Sequence, residues 1–231
     1  MMRRRLEPNG AFFIPYLTPG LCVLDCGCGP GTITRDIARR IAPGRVIGLD
    51  YNVDQVKAAA REATDIANVE FRQGSAYALP FEDGAFDAVF SHALLEHLKE
   101  PVKALSEFRR VLKRGGMLGA CTPDWGGFLL APPSEKLLAA FEGYKQLQNR
   151  NGGDVYCGHK LGIHAEAAGF TDIVLRSRYE NYDPLRVIGD FLAVNHEEAG
   201  ELVHAATWRE WARQPGGMFA QAWVSCVARK G

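Results

Sequence analysis

The segment VLDCGCGPGT, residues 23–32 of this 231-residue chain, contains the residue types and spacing most typical of a ligand site. Gly27, Gly29 and Gly31 form a glycine loop, and glycine lets a backbone turn tightly and approach a ligand closely. A helix that follows such a loop presents unpaired backbone N–H groups at its N-terminus. Asp25 precedes the loop, and its carboxylate favours a ligand with a positive group and repels a pyrophosphate.

A second acidic residue, Asp50, ends the apolar run RVIGL. An acid at the end of the second strand of a nucleotide-binding α/β unit accepts the two hydroxyls of a ribose. The loop spacing is G-x-G-x-G, and Thr32 stands where the G-x-G-x-x-G loop of dinucleotide-binding proteins needs a third glycine. The pattern therefore disfavours a nicotinamide-dependent oxidoreductase, which we keep as an alternative.

The elements that must position these residues follow from the hydrophobic pattern. Strands are predicted at residues 21–25, 45–49, 69–73, 86–91 and 117–122, and helices at 32–41, 52–63 and 101–112. This alternation predicts a parallel sheet covered by helices.

The second half of the chain is less regular. It predicts one helix that begins at Pro132-Pro133 and a second helix at 158–168. A strand at 171–178, an apolar helix-like insert at 185–213 and a last strand at 219–228 follow. Asn195 and Glu198 resemble a capping box, which predicts a helix start inside the insert. A helix-rich insert before the final strand is a natural cap over a binding site.

Composition excludes several classes of protein. Acidic and basic residues balance at 27 each, so the net excess of Lys and Arg expected of a nucleic-acid-binding surface is absent. No apolar run is long enough for a membrane span, and the N-terminus does not resemble a signal peptide. The six cysteines lie mostly in apolar runs, and Cys26 and Cys28 lack a second ligand pair, so we expect neither disulfides nor a metal site. We expect a cytoplasmic protein.

Five motifs occur in an order that resembles the class I S-adenosylmethionine-dependent methyltransferases. They are VLDCGCGPG, then GLD at 48–50, GSAYALPF at 74–81, FDAVFSHALLEHL at 86–98 and VLKRGGML at 111–118. The branch is similar to the quinone-biosynthesis methyltransferases and their small-molecule relatives. The resemblance covers roughly residues 20–122 and implies a Rossmann-like, doubly wound α/β fold. Its mostly parallel sheet would have seven strands, with the last strand antiparallel and a small helical cap inserted before it.

The resemblance also implies an organisation of residues 1–231 as a single methyltransferase domain. Residues 1–20 would form an N-terminal lid, 21–122 the cofactor-binding core, 123–170 a substrate-side segment and 183–215 the cap. The chain would act as a monomer or a homodimer.

The resemblance implies the cofactor S-adenosyl-L-methionine and a role for each matching residue. Asp25, Gly27 and Gly29 would surround its methionine end, Gly31 would allow the tight entry into the helix, and Asp50 would hold the ribose. Further contacts to the adenine and to the methionine are assigned to Tyr51, Ser75, Ala76 and Ser91. Many relatives carry Asp at the position of Ser75, and a hydroxyl accepts more weakly from the adenine amino group.

The implied reaction moves a methyl group to a small organic acceptor, whose O, N or C atom the sequence does not specify. Candidate side chains near the acceptor come from the loops after the fourth and fifth strands, namely His92, His97, Asp124 and Trp125. Three of the four have an alternative role: packing or helix start for His97, turn formation for Asp124, and a plug at the sheet end for Trp125. No obligatory catalytic triad is expected. The catalytic residues are not identified, and His92 and Asp124 are the weak candidates for a catalytic role. A non-catalytic cofactor-binding partner subunit is a further alternative.

Three other features have an ordinary structural interpretation. His159 and His164 do not share a helix face at i, i+4, which favours surface or capping roles over metal binding. Trp208, Trp211 and Trp223 could line a pocket, although core positions are more typical of tryptophan. Residues 3–5 are arginines that could bind an acidic substrate, although a solvated tail is the default. The apolar character of residues 123–215 favours an uncharged or partly hydrophobic acceptor.

Overall fold

Residues 4–231 are described by a computed structural model. The strands are β1 (Cys22–Cys26), β2 (Arg45–Asp50), β3 (Val69–Gln73), β4 (Phe86–His92), β5 (Leu112–Ala131), β6 (Thr171–Asn181) and β7 (Met218–Arg229). The helices are α1 (Leu6–Asn9), α2 (Thr32–Ile41), α3 (Val53–Arg61), α4 (Pro101–Val111), α5 (Glu135–Arg150), α6 (Cys157–Ala167), α7 (Arg186–Glu198) and α8 (Leu202–Trp211). Short 3-10 helices cover Ala11–Tyr16 and Leu95–His97.

The strands form one sheet in the order β3-β2-β1-β4-β5-β7-β6. Neighbouring strands are parallel, except that β7 runs antiparallel to both β5 and β6. The predicted Rossmann-like sheet with an antiparallel last strand is therefore confirmed. Strand order reverses between β1 and β4, and ligands of open α/β sheets bind at the carboxyl ends of the strands at such a point.

Helices cover both faces of the sheet because successive strand side chains point to opposite faces. Val23 of β1 lies in a buried cluster with residues of α1, of α2 and of the first 3-10 helix. Its neighbour Leu24 lies in a second buried cluster with residues of α4 and α6. The same alternation separates Val46 from Ile47 in β2. These strands are apolar runs rather than alternating sequences because they are buried on both faces.

A third buried cluster, the cap core, lies outside the two sheet faces. It joins α5, α7 and α8 to the far ends of β5 and β7 through Trp125 and Phe219. The helices α7 and α8 lie between β6 and β7 in the chain, which confirms the predicted helical insert before the last strand.

The fifth strand is longer than its predicted span of 117–122. It continues to Ala131, pairs with β7 and contains a register shift between Asp124 and Phe128. The sequence hides this extension because Pro123 lacks an N–H group and is followed closely by two glycines, a pattern typical of a loop. The strand tolerates Pro123 because the pairing with β4 has already ended at Cys121.

The predicted capping box inside the insert is wrong. Asn195 lies within α7, and its side-chain amide donates to the Phe191 carbonyl oxygen at 2.7 Å. The chain breaks instead at Gly200, whose φ of 77° lies in the left-handed region. A glycine there ends the helix at lower steric cost than any other residue.

Candidate functional site

The glycine loop connects β1 to α2 and is held against the end of β2. The amides of Gly27 and Cys28 donate to the Leu49 carbonyl oxygen at 2.8 and 3.1 Å. The φ angles of Gly27, Gly29 and Gly31 are 78°, 51° and 71°. Glycine adopts this left-handed region readily, so the predicted tight turn depends on all three residues.

The surroundings of the glycines differ. A Cβ atom at Gly31 would lie 2.6 Å from the Phe71 ring, and one at Gly27 would lie 3.0 Å from Leu94. Apart from Gly29 and its two chain neighbours, no heavy atom of residues 4–231 lies within 4 Å of the position that a Cβ atom would take at Gly29. Gly31 is thus required by packing, whereas Gly29 has the open side from which a ligand can approach the backbone.

Asp25 lies buried at the end of β1, with 2% of its surface exposed. Its Oδ2 atom accepts a hydrogen bond from the Thr34 hydroxyl at 2.6 Å. Burial raises the pKa of Asp25 to about 7, the Thr34 hydrogen bond lowers it and the negative charge of Asp50 raises it. A cationic ligand group nearby would favour the ionised carboxylate.

Asp50 lies at the carboxyl end of β2, directly beside the glycine loop. Its two carboxylate oxygens accept from the backbone amides of Gly29 at 2.8 Å and Asn52 at 2.9 Å. Asn52 in turn caps α3 through its own side chain. The carboxylate predicted to hold a ribose therefore links the loop to the start of α3.

The predicted adenine contacts lie where β2 and β3 end. The side-chain amide of Gln73 donates to the Tyr51 carbonyl oxygen at 3.2 Å, which places the two strand ends together. Tyr51 is 80% exposed, so its ring is free to cover a ligand. The Ser75 hydroxyl already accepts from the Tyr77 amide at 3.2 Å, and Ala76 beside it is half-buried.

Ser91 follows Phe90, the β4 residue that pairs with Asp25 of β1. Only 1% of Ser91 is exposed, and its Oγ atom has no hydrogen-bond partner among residues 4–231. Buried polar groups in folded proteins are almost always paired, so this hydroxyl indicates a missing ligand atom. An open glycine, two acids and an unpaired hydroxyl fit a nucleoside ligand with a cationic group.

His92 ends β4 with 6% of its surface exposed. Its ring stacks on Trp223 with a centroid distance of 4.8 Å, and neither ring nitrogen has a hydrogen-bond partner in the described chain. Burial lowers the pKa of His92 well below its usual value, and the positive charges of Arg4 and Arg178 lower it further. The imidazole is therefore neutral at pH 7, and one of its ring nitrogens is free to accept a hydrogen bond.

Asp124 forms a contact that the sequence does not reveal. The predicted turn at Pro123-Asp124 is replaced by strand β5, and the Oδ1 atom of Asp124 accepts from the Gly126 amide at 2.8 Å at the register shift of that strand. Its Oδ2 atom lies 2.8 Å from the backbone amide of His159 and 2.7 Å from His159 Nδ1. The side chain of His159 is 64% exposed, in agreement with the predicted surface role. No local spacing could indicate this pair, because the residues lie on β5 and α6.

Glu96 is a buried carboxylate that the sequence patterns do not identify. It is 7% exposed, and its Oε2 atom accepts from the Thr122 hydroxyl at 2.9 Å. The only available signal was its place in the motif at 86–98. His97 beside it has a side chain that is 59% exposed and lies 3.6 Å from the Glu96 carboxylate.

The tryptophans separate into two places. Trp125, Trp208 and Trp211 pack in the cap core, where the ring centroids of Trp125 and Tyr144 are 4.6 Å apart. Trp223 is also buried, but it lies on the sheet beside His92. The predicted core positions of Trp208, Trp211 and Trp223 are confirmed. Because the apolar residues of 123–215 fill the cap core, they no longer support the expectation of an uncharged acceptor.

Two further properties apply to residues 4–231 alone. No helix there is long and apolar enough to cross a membrane. No group of three or more His, Cys, Asp or Glu residues there is arranged to hold a metal ion. Arg3 of the arginine run lies outside the described residues.

Residues 24–120 match the model of a family described as a methyltransferase domain. The match covers less than half of the chain, and together with the curated relatives it confirms the predicted resemblance to class I methyltransferases of the quinone-biosynthesis branch. The matched segment runs from β1 into β5 and contains the glycine loop, Asp50 and His92.

Among curated proteins, the demethylmenaquinone methyltransferase of Lactococcus lactis is 42% identical over 100 residues, covering 42% of this chain and 40% of that protein. An uncharacterized methyltransferase of Schizosaccharomyces pombe is 40% identical over 121 residues, covering 49% of this chain and 44% of that protein. The chain thus spans less than half the length of these curated relatives.

Among solved structures, phosphoethanolamine N-methyltransferase 2 of Haemonchus contortus, in complex with S-adenosyl-L-methionine, superposes with a TM-score of 0.66. It is 22% identical and covers 97% of this chain and 52% of the other. At this identity the likeness establishes the fold.

Proposed function

We propose that this chain is a methyltransferase that moves the methyl group of S-adenosyl-L-methionine to a small organic acceptor. The observation that carries the proposal is the open glycine loop between two acids, Asp25 and Asp50, inside the segment that matches a methyltransferase family. When bound, the cofactor supplies an activated methyl group on a sulfonium, so the protein needs mainly to bind, orient and exclude water.

In this proposal Asp25 and Gly27 lie next to the methionine end of the cofactor, while Gly29 lets the loop backbone approach it. Burial raises the pKa of Asp25 to about 7, and a cationic ligand nearby would favour its ionised, negatively charged form. Ser91 supplies an unpaired hydroxyl to the methionine side. Gly31 keeps the loop tight against Phe71 and does not itself need to touch the ligand.

The nucleoside end is assigned to Asp50, Tyr51, Ser75 and Ala76. Asp50 would exchange its hydrogen bond from the Gly29 amide for, or share it with, a ribose hydroxyl. The exposed Tyr51 ring would cover the adenine, and this loss of exposed apolar surface contributes to binding. Ser75 makes the weakest contact, because its hydroxyl already accepts from Tyr77.

On the acceptor side, His92 and Asp124 keep different roles in the proposal. His92 is a buried neutral imidazole whose free ring nitrogen would accept a hydrogen bond from the acceptor, and its lowered pKa makes it a weak base. Asp124 already contacts Gly126 and His159, so we assign it the positioning of His159. We further propose the segment roles predicted from the sequence, a monomer or homodimer, and a cytoplasmic location. The last is supported by six cysteines that are all free thiols.

The test is titration calorimetry of the purified chain with S-adenosylhomocysteine and, separately, with NAD. We expect binding of S-adenosylhomocysteine and none of NAD. Asp50→Ala should weaken binding roughly tenfold to a hundredfold, because one or two hydrogen bonds to a charged group are lost. Tyr51→Ala should weaken it roughly threefold to tenfold without loss of stability, since the ring is exposed.

Asp54→Ala is the matched control, because Asp54 is exposed on the first turn of α3. It should bind as the unaltered chain does. Tight binding of NAD in place of S-adenosylhomocysteine would favour the oxidoreductase. Cofactor binding without transfer to any of a broad acceptor panel would favour the non-catalytic subunit.

A further inference from the structure

Three side chains from two strands form a buried polar group on the sheet face that α1 covers. We name His92 of β4 with Gln221 and Trp223 of β7 the sheet-top cluster. They are 6%, 1% and 1% exposed. The guanidinium of Arg4 lies over the Trp223 ring, 5.0 Å from its centroid.

The sheet-top cluster contains an unusual number of unpaired polar atoms. Both ring nitrogens of His92, Nε2 of Gln221, Nε1 of Trp223 and Nε of Arg4 are buried and have no hydrogen-bond partner among residues 4–231. The Trp223 indole N–H lies near the Tyr182 hydroxyl without the geometry of a hydrogen bond to it. Native folds leave few such atoms, so their concentration at one place indicates a ligand that completes them.

The unpaired atoms are mostly donors. The Oε1 atom of Gln221 accepts from the Tyr182 hydroxyl at 3.0 Å, which leaves the two amide hydrogens of Gln221 for a ligand. The indole of Trp223 and the guanidinium of Arg4 only donate. The neutral imidazole of His92 offers one donor and one acceptor. A ligand with several hydrogen-bond-accepting oxygens satisfies this set.

The charges around the sheet-top cluster are not balanced. Arg178 of β6 is paired with Glu180 at 3.0 Å, and Asn9 of α1 also donates to that carboxylate at 3.5 Å. The guanidinium of Arg4 lies over the Trp223 ring, and its Nε atom has no hydrogen-bond partner within the described residues. The excess positive charge favours an anionic ligand, and a carboxylate has two oxygens with room for several donors.

The position of the sheet-top cluster connects it to the cofactor site. Ser91 and His92 are consecutive residues at the end of β4, so one faces the proposed cofactor and the next faces the cluster. Trp223 pairs with Pro123 of β5, which lies next to β4 in the sheet. We propose that the sheet-top cluster, with Arg4 above it, binds the methyl acceptor through a carboxylate group of that acceptor. The inference rests on the proposed function, because a molecule held here by its carboxylate is a methyl acceptor only if the cofactor binds next to it.

Arg4 is held in place by its neighbours in the chain. The guanidinium of Arg5 donates two hydrogen bonds to Asp36 of α2, at 2.7 and 2.8 Å, and the Leu6 amide donates to the same carboxylate at 3.1 Å. Residue 4 therefore leaves α1 at a defined place above the Trp223 ring.

The test uses two probes of the same shape that differ in charge, 2-hydroxybenzoate and 2-hydroxybenzamide. Each is titrated calorimetrically into the chain saturated with S-adenosylhomocysteine. We expect 2-hydroxybenzoate to bind at least tenfold more tightly than the amide. Arg4→Gln and Gln221→Leu should each weaken 2-hydroxybenzoate roughly tenfold to a hundredfold, since each removes donors to a charged group.

The controls are Arg213→Gln and Gln214→Leu, the same exchanges at exposed positions after α8. They should bind both probes as the unaltered chain does. Binding of neither probe, equal binding of both, or a preference for the carboxylate that survives Arg4→Gln would overturn the inference. Arg4→Gln keeps the test decisive if Gln221→Leu does not fold. Every variant should bind S-adenosylhomocysteine normally, and a failure of the unaltered chain to bind it would instead overturn the proposed function.

Discussion

Replacement of Asp25 by asparagine should stabilise the ligand-free protein at pH 8 while weakening its cofactor site. The carboxyl group is buried, and burial raises its pKa from 3.8 to about 7. Between these two values the folded protein retains a proton that the unfolded chain has released. Stability of the unaltered protein therefore falls as the pH rises through this window, because the unfolded state binds fewer protons and is favoured as the proton concentration decreases.

The magnitude follows from the two pKa values. Linkage from 3.8 and about 7 gives a loss of roughly 2–3 kcal/mol in the free energy of unfolding between pH 5 and pH 8. Asparagine does not titrate, and its amide oxygen can still accept from the Thr34 hydroxyl. The difference in stability between Asp25→Asn and the unaltered protein should thus grow by that amount from pH 5 to pH 8.

The assay is urea unfolding at both pH values, followed by circular dichroism. Asp36→Asn is the control with the opposite sign. Burial alone would raise the pKa of Asp36, but hydrogen bonds from Arg5 and Leu6 hold it below its ordinary value. That variant should lose stability, and by the same amount at pH 5 and pH 8. A stability difference for Asp25→Asn that stays constant, or that shrinks towards pH 8, would refute the reasoning.

Two further outcomes depend on packing and buried hydrogen bonds. Gly29→Ala should lower the free energy of unfolding by about 1 kcal/mol because of its left-handed φ. Gly31→Ala should lower it by about 2 kcal/mol more, because the added Cβ atom would overlap Phe71. Equal losses of the two variants in urea unfolding would contradict this. Glu96→Ala should destabilise the chain by about 1–3 kcal/mol, since the buried Thr122 hydroxyl loses its acceptor. Glu96→Gln keeps an acceptor oxygen and should lose less stability than Glu96→Ala. Equal losses of the two variants in the same unfolding curves would show that the Thr122 hydrogen bond is irrelevant.

The cofactor half was predictable because its determinants are local in the sequence. The glycine loop follows β1 directly, and its conformation depends on glycine positions that can be read one by one. Asp50 is farther away, but it is fixed by the rule that parallel strands end at the same edge of the sheet. Even here the sequence did not show that the Asp50 carboxylate accepts from the Gly29 amide, since this contact depends on the crossing of two loops.

Other features could not be read because they depend on long-range pairing. The extension of β5 beyond residue 122 is stabilised by β7, and Pro123 with the glycines after it is locally typical of a loop. The contact of Asp124 with His159 joins β5 to α6. Neither feature has a periodicity or a spacing that a single sequence could reveal.

The sheet-top cluster shows why the acceptor is harder to infer than the cofactor. His92 lies within the matched segment 24–120, whereas Arg4, Gln221 and Trp223 lie outside it at the two ends of the chain. These residues meet only because β7 inserts between β5 and β6 and α1 covers the same face. A relative that matches the segment can therefore share the glycine loop and both acids while it differs at most positions of the sheet-top cluster. Residues 4, 221 and 223 are consequently the positions at which an exchange should change the acceptor while cofactor binding stays intact.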